Sequence, residues 1–128
     1  VTVAQQSILL AGDISKKIEH YLVKKQNNKL ASTILVVPHH GSLSSSSEKF
    51  IHCVKPDYAL FAAGYSNKFN FPKNAVLARF SEIGAKNLLS WQTGALIFHL
   101  NGTNHLTPPI RWRETSQHYW SVSNSWRE

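Results

Sequence analysis

The chain has one cysteine and no methionine in 128 residues, and only 16% of its side chains are charged. A single thiol, Cys53, excludes an intrachain disulfide and a cysteine-rich zinc knuckle. It lies in the apolar stretch Phe50-Ile51-His52-Cys53-Val54 and reads as a small buried hydrophobe. No apolar run approaches the ~20 residues of a membrane-spanning helix, and there is no signal-peptide pattern. Internal repeats are absent, and the only low-complexity segment is the serine run 44–47. With no initiator methionine and a start at Val1-Thr2-Val3, close to a strand, the chain is expected to be a piece of a longer protein. Acidic residues are scarce, 7 against 14 Lys and Arg, for a formal net charge of +7. Such a balance favours polyanionic partners. The basic residues are scattered, however. Lys16-Lys17 and Lys24-Lys25 read as solvated helix faces, and Arg111-Trp112-Arg113 is the remaining dense group.

What is present is an alternation of short apolar runs with helical patterns. Ser7–Ala11, Thr33–Val37 and Tyr58–Ala62 read as buried strands, rich in β-branched and aromatic residues. Asn87–Ser90 and Ala95–Leu100 read as two more, joined by a tight turn through Gln92-Thr93-Gly94. Ser15 is placed to cap a first helix, on which Ile14, Ile18, Tyr21 and Leu22 form one apolar stripe. Ser47 is placed to cap a short helix running to Val54. A third helix spans about Asn74 to Ile83, with Gly84 as its C′ residue. The order β-α-β-α-β-α-β-β implies an α/β fold with a parallel or mixed sheet. Three helices are too few to cover both faces, as in half of a four-layer sandwich. The reading places a domain over 1–104 and an irregular or disordered tail over 105–128.

Two strands end in residues able to carry chemistry. The first ends at Gly12-Asp13 and the second at Pro38-His39-His40-Gly41-Ser42. Open α/β sheets place their sites beyond the carboxyl ends of their strands, so Asp13, His39 and His40 are expected to converge on one edge. Asp13 can ligate a metal, or simply cap the helix that follows. Zinc and manganese both accept carboxylate and imidazole ligands. Catalytic zinc needs at least three protein ligands, whereas Asp13 with one histidine supplies two. No His-x-His-x-Asp-His run occurs. The loop Gly64–Pro72 is expected at the same edge. Its Asn67, Lys68 and Phe69 suit a phosphate-bearing or nucleic-acid substrate, or else form a packed surface loop. His20, His52, His99 and His105 read as structural, and His118 is unplaced.

The strings Leu9-Leu10-Ala11-Gly12-Asp13-Ile14 and Val36-Val37-Pro38-His39-His40-Gly41-Ser42 carry a resemblance, together with Ser45-Ser46-Ser47, Val54-Lys55-Pro56, Ala63–Phe69 and Pro72. Thr93-Gly94-Ala95, Arg113 and Tyr119-Trp120 fit it as well. The chain resembles the C-terminal part of the metallo-β-lactamase-like domain of the ComEC family of DNA-internalisation competence proteins. The resemblance implies the second half of an αββα sandwich, with a mixed sheet and helices mainly on one face. It implies that Asp13 bridges metals, that His39 or His40 is a terminal ligand, and that the main histidine cluster lies in an absent first half. It also implies zinc or manganese in the intact domain, with none held by this piece. Ser42, Asn67, Lys68 and Phe69 are the expected substrate-binding residues and Asp13, His39 and His40 the catalytic ones. Phe71 and Lys73 depart from the family, which often has histidines there. The implied activity is metal-dependent hydrolysis of incoming DNA, single-stranded or duplex, with this piece alone inactive. The implied setting is an extracytoplasmic domain of an inner-membrane protein. The implied partners are DNA, the rest of that protein and, for the soluble piece alone, a second copy of itself. The alternatives are another phosphodiesterase of the metallo-β-lactamase superfamily and a non-catalytic DNA-guiding module.

Overall fold

The computed structural model describes residues 1–26, 29–103 and 106–116. Its main sheet has five strands in the order of the sequence: β1 (Thr2–Val3), β2 (Gln6–Leu10), β3 (Ile34–Val36), β4 (Tyr58–Phe61) and β5 (Lys86–Leu89). β2 to β5 are parallel, with Leu10 opposite Val36 and Val36 opposite Leu60. β1 folds back antiparallel on β2, so the sheet is mixed. The crossovers carry α1 (Lys16–Gln26), α2 (Glu48–Val54) and α3 (Asn74–Glu82). The strand order never reverses, so crossovers of one hand put all three helices on one face. The fold is thus the expected α/β type, with a mixed sheet and its helices on one side.

Strand alternation divides the core in two. Leu35, Ala59 and Phe61 face the helices and pack with Phe50, Ile51, Val54, Val76 and Phe80. Ile34, Tyr58 and Leu88 point the other way, where Leu96, Phe98, Leu100 and Leu106 partly cover them. Tyr58 and Phe98 meet edge to face at 5.4 Å. Toward the carboxyl end that cover thins. Leu10 is 67% exposed, and Val36 and Leu60 beside it are half-buried.

α3 ends as its sequence predicts. Gly84 adopts φ +80°. Its amide donates to the Ser81 carbonyl, and that of Ala85 donates to Phe80, which is the Schellman arrangement.

Three expectations need correction. On α1, Ile18 and Tyr21 are exposed, and the inward face is Glu19, Leu22 and Val23. The helix is rotated because the Glu19 carboxylate is required inside, as described below. After β5 there is no tight turn between two strands of one sheet. Ser90–Thr93 form a helical turn, α4, and Gly94 at φ +69° redirects the chain. β6 (Leu96–Ile97) then pairs with β7 (Ile110–Arg111) in a separate two-stranded ribbon. Phe98, His99 and Leu100, expected as strand, are not, and Phe98 and Leu100 cover the helix-free face while His99 is exposed. Within the expected tail, β7 and α5 (Trp112–Thr115) are ordered elements. His105, His118 and Tyr119-Trp120 lie outside the described residues.

Candidate functional site

The parallel strands deliver their following loops to one edge, and main-chain hydrogen bonds lock those loops together. Gly12, after β2, turns at φ +59° and its carbonyl accepts the His39 amide at 3.0 Å. After β3, His39 and His40 both adopt left-handed backbone (φ 52° and 54°), followed by Gly41 at φ 84°. Left-handed geometry costs a non-glycine residue roughly 1–2 kcal/mol, and consecutive cases persist only where the surroundings enforce them. Here the Ser42 amide donates to the His39 carbonyl, and the Lys73 amide to that of Gly41. The Ser45 hydroxyl donates to the Pro38 carbonyl at 2.9 Å. A Cβ on Gly41 would lie 2.6 Å from Cβ of Pro72 and 3.0 Å from the Phe61 ring. Only glycine lets the β3 and β4 loops approach this closely.

The geometry distinguishes the two imidazoles. His40 Nδ1 is 2.7 Å from the Ala62 carbonyl, which follows β4. A carbonyl only accepts, so Nδ1 carries the proton, and a neutral His40 presents the Nε2 lone pair. That Nε2 lies 3.7 Å from Oδ1 of Asp13. A lone pair facing a carboxylate is two acceptors with nothing between them. A cation placed between them would satisfy both acceptors. Both side chains are substantially exposed, so this charge is reachable from solvent. His39 instead shares a hydrogen bond with Ser44 Oγ through Nδ1 and sets its ring edge on Phe71 at 6.0 Å.

The remaining predicted residues surround this group. The Ser42 hydroxyl bonds the Ser44 hydroxyl and amide, which buttresses the His39 partner. Asn67 donates to the carbonyls of Gly64 and Phe71 and accepts the Phe71 amide, so its side chain braces its own loop. Phe69 is exposed and stacks on Phe71 at 5.5 Å. Lys68 sits over the Phe69 ring at 4.8 Å, and Lys73 donates to the Phe69 carbonyl at 2.7 Å. His20 and His52 are exposed on helices, and His52 donates to the Glu48 carbonyl one turn back. Half-buried Cys53 packs against the helix-side core.

One positioning residue escapes sequence reasoning. Glu19 is fully buried, and its two carboxylate oxygens accept the amides of Ser46 and Ser47 at 2.5 and 2.8 Å. Arg79 donates to the Ser46 carbonyl. Together they clamp the far end of the serine loop that begins at the histidines. The sequence signal was Glu19 standing three and four residues before Leu22 and Val23, in register with an inward face.

Asp13 and His40 are the side chains here that could hold a cation. Among the described residues no group of three or more His, Cys, Asp or Glu side chains is positioned to hold a metal ion. Asp13 and His40 offer two donors, and catalytic zinc takes three from protein. Among the same residues no helix is long and apolar enough to cross a membrane.

Comparison with known proteins bears on this edge. The chain is 42% identical over 94 residues to the competence protein ComA of Neisseria gonorrhoeae, which covers 73% of the chain and 14% of that protein. The chain is similar to bacterial competence proteins. It is 30% identical over 106 residues to ComE operon protein 3 of Bacillus subtilis, covering 80% of the chain and 14% of that relative. It is 35% identical over 75 residues to Recombination protein 2 of Haemophilus influenzae, covering 59% of the chain and 9% of that relative. The chain therefore spans about a seventh of the first of these relatives, or less. No family model matches the chain, and no solved structure matches it.

Proposed function

We propose that this chain is the C-terminal half of a metallo-β-lactamase-like, DNA-handling domain of a bacterial DNA-uptake protein, and that its carboxyl edge is half of a metal-dependent phosphodiesterase site. The observation that carries the reading is the opposition of Asp13 Oδ1 and His40 Nε2 at 3.7 Å on a backbone constrained to hold them there. The named relatives support the setting in DNA uptake. The thinly covered row Leu10, Val36 and Leu60 supports a second layer packed on the helix-free face. Zinc or manganese, when bound, supplies Lewis-acid stabilisation of a phosphodiester and lowers the pKa of water.

The chain's own residues have separable tasks in this reading. Asp13 and His40 supply two ligands, and the Ala62 carbonyl fixes the His40 tautomer that leaves Nε2 free, as partners of metal-ligating histidines do. His39 is a third imidazole at the edge, turned toward Phe71. Lys68 and Lys73 place positive charge along the adjacent loop, where a phosphate chain would lie. The remaining ligands come from the preceding half of the domain.

The test is nuclease activity of a chain extended N-terminally to the whole domain, on single- and double-stranded DNA with Mn²⁺, Zn²⁺ or chelator. The expected result is metal-dependent cleavage, reduced at least about 100-fold by Asp13→Ala and by His40→Ala. A folded, metal-loaded domain that cleaves neither substrate overturns the hydrolase reading and leaves a DNA-guiding module. Such a module is recognised by salt-dependent binding without cleavage.

A further inference from the structure

We propose that the cleft between the β4 loop and α4 is a nucleobase-stacking subsite, where Tyr65 and Trp91 hold one unpaired base of a single-stranded nucleic acid. This inference rests on the DNA-handling reading above for its choice of polymer. It moves base recognition away from Phe69, where the sequence put it, to a pair of residues brought together only by the fold.

Tyr65 follows β4 and Trp91 follows β5, so parallel pairing brings both to the edge that carries the histidines. Their ring centroids are 5.3 Å apart with planes at 57°, so the rings touch each other and a base stacks on an outward face of the pair rather than between them. Tyr65 is 76% exposed. The support beneath them is hydrogen-bonded. The Ser90 hydroxyl donates to the Ala63 carbonyl at 2.9 Å and ties the two loops, and Thr93 donates to Leu89 to hold α4. The cleft measures about 320 Å³, with Leu77 and Leu89 among its apolar walls.

The lining selects the ligand class. It includes no charged side chain. A phosphate would find no counter-charge inside, whereas a flat, uncharged ring with polar edges matches it. Asn70 and Asn74 line the same cleft. Primary amides both donate and accept, as the edges of bases require. Aromatic faces hold successive bases of single strands with little sequence preference. Phe71 links the cleft to the histidines, because it lines the former and touches His39. A base seated here therefore keeps its own backbone close to Lys68, Lys73 and the imidazoles.

The experiment is fluorescence anisotropy of a labelled short oligothymidylate with the 128-residue chain in EDTA, so that no cleavage intervenes. An abasic oligonucleotide of equal length is measured beside it. Tyr65→Ala and Trp91→Ala are each expected to weaken oligothymidylate binding about tenfold, and Trp91→Phe to restore most of it. The abasic strand is expected to bind the parent chain about tenfold more weakly and to ignore the substitutions. Tyr65 is exposed enough that its truncation leaves the fold intact, which circular dichroism verifies. Equal affinity for the abasic strand, or binding by Tyr65→Ala within about twofold of the parent, overturns the subsite while leaving a DNA-binding edge. Binding of neither strand overturns the subsite and the DNA reading together. Base-dependent binding with no cleavage by the whole domain keeps the subsite and removes the hydrolase.

Discussion

His39, His40 and Gly41 form three consecutive left-handed residues at the end of β3, and each has a different dependence on its neighbours. Gly41 is required by contact, since any Cβ there meets Pro72 and the Phe61 ring. Gly41→Ala is therefore expected to destabilise the chain by about 2–4 kcal/mol, combining strain with overpacking. Urea denaturation followed by circular dichroism measures this, and a change under about 1 kcal/mol would show that the two loops separate easily. In the proposed site His40 would act through Nε2, because the Ala62 carbonyl occupies its other nitrogen. With two donors paired among the described residues, zinc titrated into the chain alone is expected to bind weakly. Tight stoichiometric binding in a calorimeter would show instead that the ligand set is complete without another segment.

The element that governs the site from a distance is α1. Its Glu19 carboxylate takes two amides of the serine loop that no other described group satisfies. Glu19→Ala leaves the buried Ser46 amide and the half-buried Ser47 amide unpaired, with an expected loss of about 2–4 kcal/mol. Glu19→Gln keeps one acceptor and is expected to lose less. Thermal unfolding of the two variants orders them, and equal losses would mean that packing rather than hydrogen bonding is at work. The same helix shows what the sequence made legible. The existence of α1, its end near Gln26 and the delivery of the Asp13 and His39-His40 loops to one sheet edge all followed from apolar runs and punctuation. Its rotation did not, because hydrophobic periodicity scores a glutamate as solvent-facing and cannot register a carboxylate paired to amides 27 residues away. The partition of Ile18 and Tyr21 to solvent follows from that one pairing. Similarly, Tyr65 and Trp91 lie in different crossover units and share a cleft only once β4 and β5 are parallel neighbours. The departure of β6 from the main sheet was hidden for a related reason. Alternating apolar residues read as strand whether they extend a sheet or lie across one.

At the scale of the whole molecule, the two faces of the sheet are unequal. Three helices seal one, while coil and a short ribbon only partly screen the other. Leu10, Val36 and Leu60 form a row across three strands at the less covered end. An apolar row of this kind favours association. The isolated chain is expected to self-associate at micromolar concentration, and Leu10→Lys to shift it toward monomer in sedimentation velocity. A monomeric parent at every concentration tested would mean that the row is too narrow to pair. The left-handed histidines also set what selection can do to this chain. Glycine and asparagine occupy that backbone region more comfortably than histidine does, and against this stand only two imidazole bonds, His40 to the Ala62 carbonyl and His39 to Ser44 Oγ. Stabilising changes commonly arise where a chain carries strain for the sake of activity. A library screened only for heat resistance is then expected to replace His39 and His40 wherever relief of strain outweighs those two bonds, and to yield proteins with a sound sheet and without the edge proposed to act.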